Sequence, residues 1–159
     1  MTLYAKDEAG GYRPARKREI LAAASKALLG NLRRGQSLTE PADAKVFLQA
    51  SLSDLEHEVF AVIFLDNRHC LIDYQEMFRG TINGTAVYPR EVAKEALKLN
   101  AAAVILAHNH PSGIAEPSRA DELLTTRLKE TLGNLDIRVL DHIVVAKGEF
   151  VSFTERGLL

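Results

Sequence analysis

Ala101-Ala102-Ala103-Val104-Ile105-Leu106-Ala107-His108-Asn109-His110-Pro111-Ser112-Gly113 is the most informative stretch of this 159-residue chain. Ala101–Ala107 is, with Val59–Leu65, one of its two longest uninterrupted apolar runs, and Ala101–His108 has the length and character of a strand buried on both faces. Side chains at i and i+2 of a strand share a side, so His108 and His110 set two imidazoles together while Asn109 faces away. Pro111 cannot continue the ladder, and the chain leaves the sheet there. A strand end opening into a loop is where α/β proteins tend to place their chemistry.

Working outward, the loop from Pro111 runs into a helical pattern over 118–132, ended by Gly133-Asn134. Ser118-x-x-Asp121 reads as its capping pattern, with Ser118 as N-cap and Asp121 in the first turn. Upstream, Tyr88-Pro89 opens a helix to about Leu99 that turns Val92, Ala93, Ala96 and Leu97 inward. Val59–Leu65 is a second buried strand, and after an Asp66-Asn67-Arg68 turn a partner strand runs from His69 to about Arg79. Asn83-Gly84 marks another turn. Ile137–Val145 and Glu149–Phe153 form a closing strand pair across Lys147-Gly148. Ahead of this core, the pattern predicts a helix over 17–29 stopped by Gly30, a polar linker over 31–40, and a helix from Pro41 to about Ala50 capped by Thr39. Residues 1–16 read as a flexible leader. The element order β-β-α-β-α-β-β behind two helices predicts an α/β fold, a mixed β-sheet flanked by helices.

The length suits one domain. A 47% hydrophobic and 26% charged composition is that of a globular chain, not a disordered one. No apolar run approaches the roughly 20 residues of a membrane helix, and no apolar segment follows Met1 as a signal peptide would. The single cysteine, Cys70, cannot form an internal disulfide or a Cys-rich zinc knuckle. The expectation is a cytoplasmic protein with no membrane segment. Net charge is −1, unevenly spread: residues 1–40 hold eight basic and four acidic side chains, leaving 12 basic and 17 acidic for residues 41–159. The basic leader offers a contact for nucleic acid, although a solvated helical face accounts for the same charges.

Asp121, folded back beside His108 and His110, completes three N/O ligands suited to zinc. The fourth position stays open for a water that ionises near neutral pH, which favours catalysis over a structural role. The bland reading of each half is a strand-end His pair and an ordinary helix cap. Other candidates carry less. Cys70 and His69 are strand neighbours pointing to opposite faces, so they form no dyad. His142 beside Asp141 is either an outer partner of the site or hydrogen-bonded within its own strand region. His57 reads as a surface residue, Ser112-Gly113 as a turn, and Arg90-Glu91 as helix-start electrostatics.

His108, His110, Ser118 and Asp121 match the JAMM (MPN-domain) metalloprotease signature His-x-His, seven residues, Ser, two residues, Asp, without a gap. Tyr88-Pro89-Arg90-Glu91, Ala107–Gly113, Pro117-Ser118, Leu140-Asp141-His142-Ile143 and Ser152-Phe153 with Glu155-Arg156-Gly157 resemble the RadC family of bacterial proteins. The resemblance covers about residues 40–159 and implies a JAMM/MPN-like core of the cytidine-deaminase-like kind over 39–159, behind a basic leader with one helix at 1–38. Longer RadC members carry a helix-hairpin-helix DNA-binding module ahead of that core, and the first 40 residues show no glycine-hairpin pattern of that kind. The resemblance implies Zn²⁺ on His108, His110 and Asp121, and it assigns Ser118 to stabilising a tetrahedral oxyanion. It also asks for an acid/base glutamate at the start of the first core strand. Glu58 stands there, with Glu56, two residues earlier, as the fallback.

Three functions follow as expectations. The first is a zinc hydrolase acting on an amide bond, with a peptide or protein as substrate. The second is a DNA-repair-associated protein that processes or binds nucleic acid, although nucleases usually gather several carboxylates around Mg²⁺ or Mn²⁺. The third is a metal-stabilised binding module without turnover. Zinc deaminase chemistry is excluded, because its Pro-Cys-x-x-Cys half has no counterpart. Substrate choice would reside in the leader and in the loops at 79–87 and 114–117, and the sequence is silent on oligomeric state.

Overall fold

The computed structural model describes residues 2–32, 41–80 and 86–159. In chain order the elements are β1 (Tyr4–Lys6), β2 (Tyr12–Pro14), α1 (Lys17–Leu32), α2 (Pro41–Leu52), β3 (Val59–Leu65), β4 (Leu71–Arg79), α3 (Pro89–Lys98), β5 (Ala103–Asn109), α4 (Arg119–Gly133), β6 (Arg138–Ala146), β7 (Glu149–Ser152) and α5 (Phe153–Arg156). Five strands form one mixed sheet in the order β4-β3-β5-β6-β7. β3 runs antiparallel to both β4 and β5, β5 runs parallel to β6, and β7 returns antiparallel to β6. The fold is therefore α/β, with a mixed sheet covered by helices.

Every residue of β3 and β5 is buried, because both faces of the sheet are covered. Ala61, Ile63, Ile105 and Ala107 face Phe47 and Leu48 of α2, with Leu28 and Leu29 of α1 packed alongside. Phe60, Val62, Val104 and Leu106 face the other way, toward Val92 and Ala96 of α3 and Leu128 and Leu132 of α4. His108 continues the even-numbered series of β5 and so faces α4. That alternation puts a histidine and the start of a helix on one side of the sheet.

Several boundaries differ from the sequence reading. The described part of the expected flexible leader, residues 2–16, is built around a hairpin: β1 and β2 pair, Asp7 Oδ1 accepts from the Gly11 N–H at 2.7 Å, and Gly10 takes a positive φ of 85°. Arg13 then grips Glu19 through two hydrogen bonds of 2.9 and 2.6 Å, tying the hairpin to α1. This ion pair pulls the Glu19 pKa down to about 2, with the Arg16 N–H assisting. α1 does not stop at Gly30 but continues to the buried Leu32. Burying that leucine against α2 outweighs the roughly 1 kcal/mol a helical glycine costs. α4 ends at Gly133 with Asn134 as its cap, as the sequence reading has it, and the left-handed residue that follows is Asp136, with φ 58°. Leu97 is not inward but 56% exposed. Ser152 begins a helical turn, α5, through which the sequence reading extended a strand to Phe153. Thr39, the 33–40 part of the linker and Asn83-Gly84 lie outside the described residues. Among the described residues no helix is long and apolar enough to cross a membrane.

Candidate metal centre

β5 delivers His108 as its penultimate residue, with its side chain 3% exposed. The backbone keeps its register one residue further, since the His110 N–H donates to the Val145 carbonyl at 2.8 Å. Beyond Pro111 the chain turns. The Gly113 N–H donates to the His110 carbonyl at 3.1 Å, at a φ of 89° that suits glycine. The His110 ring shares this turn, its Nδ1 donating to the Ile114 carbonyl at 2.9 Å. In the neutral ring that bond leaves the Nε2 lone pair for a metal, whereas in the protonated ring Nε2–H donates to Asp121.

Ser118 caps α4 in a complete capping box. Its Oγ accepts from the Asp121 N–H at 3.2 Å, while its own N–H donates to Asp121 Oδ2 at 2.7 Å. The Ser118 hydroxyl proton also goes to Oδ2, at 2.6 Å. Two donations from one residue turn the Asp121 carboxylate back over the strand end. Its second oxygen, Oδ1, lies 3.3 Å from His108 Nε2, and Oδ2 lies 3.6 Å from His110 Nε2. The capping and ligand readings of Asp121 are compatible: Oδ2 takes the cap hydrogen bonds while facing His110, and Oδ1 faces His108.

His108 Nε2 and His110 Nε2 are 3.0 Å apart. Among the described residues, His108, His110 and Asp121 are the one group of His, Cys, Asp and Glu side chains arranged to hold a metal. Ligand atoms on a tetrahedron with metal bonds of about 2.0–2.1 Å stand about 3.3–3.4 Å from one another. The two Nε2 atoms, 3.0 Å apart, lie near that value, and the carboxylate presents Oδ1 to His108 at 3.3 Å and Oδ2 to His110 at 3.6 Å. Two imidazoles and a carboxylate also match the chemistry of zinc. The residues present fit the ion.

The charges are arranged to match. Burial by itself would push the Asp121 pKa up, but hydrogen bonds from His108 and His110, the charge of His108 and the Ser118 bond hold it well below the usual carboxylate range. The His110 pKa is raised by its bond to Asp121, against burial, with the Ile114 carbonyl and the charges of Asp121 and Glu58 adding to the rise.

Glu58 precedes β3, is half-buried, and lines the same cleft as His108, His110, Ser118 and Asp121. Glu56 is exposed and lines a separate groove beside α1 and α2. The main chain on either side of Glu58 is clamped by Asn109, the residue between the two histidines. Asn109 Oδ1 accepts from the Val59 N–H at 2.7 Å, and its Nδ2 donates to the His57 carbonyl at 3.0 Å. The Gly80 N–H adds a bond of 2.8 Å to the Glu58 carbonyl.

Thr125 enters the site unannounced by any local pattern, together with His142, for which the sequence leaves two readings. His142 on β6 is fully buried, and its Nε2 meets His108 Nδ1 at 2.8 Å. Its Nδ1 meets Thr125 Oγ1 at 2.6 Å. Burial, and then the charge of His108, push the His142 pKa well below the ordinary histidine value. Of the two sequence readings of His142, the outer partner of the site is the one its contacts support. The remaining candidates lie apart. Cys70 is half-exposed beside the Asp66 turn, Arg90 pairs with Glu91 at 3.0 Å on the surface, and His57 Nδ1 meets Arg79 Nη2 at 3.0 Å.

A family model described as the RadC-like JAB domain matches residues 38–158. Curated relatives carry the name UPF0758 protein. That of Marinobacter nauticus is 63% identical over 128 residues, covering 80% of this chain and 57% of its own length. That of Methylibium petroleiphilum is 55% identical over 152 residues, covering 94% and 68%. That of Halorhodospira halophila is 53% identical over 158 residues, covering 99% and 70%. The chain therefore spans between 57% and 70% of the length of these relatives. A match over most of the chain, on a sheet that brings His108, His110 and Asp121 together, places it in the RadC-like JAB domain family.

Proposed function

We propose that the chain is a zinc-dependent hydrolase that cleaves an amide bond in a peptide or protein. The observation that carries this reading is the grouping of His108 Nε2, His110 Nε2 and the Asp121 carboxylate in a cleft that Glu58 also lines. Zinc held by His108, His110 and Asp121 would lower the pKa of a water and polarise a substrate carbonyl. The chain's own residues supply the rest. Glu58 accepts the proton of the water whose oxygen bonds to the carbonyl carbon, and it returns that proton to the amine nitrogen as the C–N bond breaks. Asn109 holds the backbone on both sides of Glu58, so the carboxylate meets the cleft from a fixed base. Ser118 gives its hydroxyl proton to Asp121 Oδ2, which orients that ligand. The oxyanion role drawn from the resemblance requires this hydroxyl to turn from Asp121 to the substrate.

The test is a zinc-loaded protein offered a peptide and isopeptide library, with cleavage read by mass spectrometry, beside Glu58→Gln. Cleavage should fall about 10²–10⁴-fold in the variant, the usual worth of general acid–base catalysis, with zinc content unchanged. Equal rates in both proteins would remove Glu58 from the mechanism and make Glu56→Gln the next variant. Zinc binding without cleavage of any member would favour the metal-stabilised binding module. Cleavage of nucleic acid instead would move the substrate class to phosphodiesters.

A further inference from the structure

The buried face of the centre holds a hydrogen-bonded chain that the ligand set does not require. It starts at His108 Nδ1, crosses to His142 on β6 at 2.8 Å, reaches Thr125 on α4 at 2.6 Å, and ends where Thr125 Oγ1 donates to the Asp121 carbonyl at 2.6 Å. It therefore joins one ligand to the main chain of another through three elements. His142 is fully buried, its ring stacked on Phe153 at 4.7 Å and edge-on to Phe60 at 5.7 Å, so it has no water to serve instead.

The direction of the chain follows from its far end. A backbone carbonyl has no proton to give, so Thr125 must donate to it. A hydroxyl has one proton, and Thr125 then meets His142 Nδ1 as an acceptor, which puts the His142 proton on Nδ1. A neutral ring carries one N–H, so His142 Nε2 is bare and accepts from His108 Nδ1–H. His108 Nε2 is then left as a lone pair facing His110 and Asp121. Reversed, the chain would set two lone pairs together at the Asp121 carbonyl and leave the proton of a neutral His108 on Nε2.

We propose that His142 and Thr125 are positioning residues that fix His108 in the tautomer and orientation needed to bind a metal through Nε2. The inference rests on the reading of His108, His110 and Asp121 as a metal centre. It assigns to a neutral imidazole and a threonine the outer-partner role commonly taken by a carboxylate or a backbone carbonyl. The two ligand histidines then differ: His110 is set by its own loop, and His108 by a chain reaching through the core.

The test is zinc affinity by chelator competition for wild type, Thr125→Val and Thr125→Ser, with fold stability measured alongside. Thr125→Val removes the terminal acceptor at nearly constant volume, and zinc should bind about 10–100-fold more weakly. Thr125→Ser keeps the hydroxyl and should restore affinity to near the wild-type value. Long-range ¹H–¹⁵N NMR of the zinc-loaded wild type gives a readout that does not depend on the variants folding. It should show protons on Nδ1 of both His108 and His142. Wild-type affinity in Thr125→Val, or a proton on His142 Nε2, overturns the chain while leaving the metal centre in place. Failure of the wild type itself to take zinc overturns both.

Discussion

The two histidines of the centre are held by opposite means. The His110 ring is fixed by the Ile114 carbonyl four residues on, and the carboxylate beside it by Ser118 three residues back. His108 is fixed by His142, 34 residues away, with Thr125 behind it. The His110 half is built from short-range turns and a helix cap, partly open to solvent. The His108 half is built from the register of β5 against β6 and the packing of α4, out of contact with water. A centre assembled this way tolerates drift in its loop better than drift in its core, because buried polar groups have no solvent to fall back on.

The largest effect should come from removing both halves at once. Purified wild type should hold about one zinc per chain by elemental analysis, and His108→Ala with His110→Ala should hold none. Zinc retained in that variant would place the ion elsewhere. Next comes Asp121→Asn, which keeps a polar side chain at the third helical position but gives up the carboxylate charge. Zinc affinity should fall by more than the roughly 10–100-fold an outer partner is worth, with the fold retained in zinc-free buffer. A change within twofold would leave Asp121 as a helix-start residue only.

Asn109→Ala tests the long-range half without touching a ligand. It strands the Val59 N–H and the His57 carbonyl, and at about 1–3 kcal/mol per unsatisfied group denaturant titration should show a loss of roughly 2–4 kcal/mol. A loss below about 1 kcal/mol would mean the clamp is not under tension from burial. The smallest stability effect belongs to the local half. Ser118→Ala removes an exposed cap and should cost about 1 kcal/mol, with its larger consequence in the orientation of Asp121. If Ser118→Ala destabilised the fold more than Asn109→Ala, the contrast between the halves would be inverted.

The same contrast explains what could be read from the sequence. The limits of β3 at Val59 and Leu65, the capping box at Ser118 and the His-x-His spacing are all short-range patterns, and each reappears in the structure. α1 runs past Gly30 because Leu32 finds its burial against a separate helix, a fact no local window contains. The hairpin of β1 and β2 escaped notice because its strands are three residues each, with Tyr4 and Tyr12 exposed, so they carry no burial pattern. Leu97 lies on the edge of the apolar stripe of α3, where a small change in helix rotation decides exposure. Thr125 and His142 are joined only by the packing of α4 on β6, and nothing near either residue marks the other. Asn109 was correctly expected to face away from the imidazoles, but its destination, the backbone flanking Glu58, depends on the pairing of β5 with β3.

The central claim is that three side chains, two from the end of β5 and one from the first turn of α4, form an open zinc site. Anomalous diffraction from crystals of the zinc-loaded protein tests it directly. The expected result is one zinc about 2.0–2.2 Å from His108 Nε2, His110 Nε2 and an Asp121 carboxylate oxygen, with no protein atom in the fourth position. Zinc bound at other residues, or enclosed by a fourth protein ligand, would contradict it.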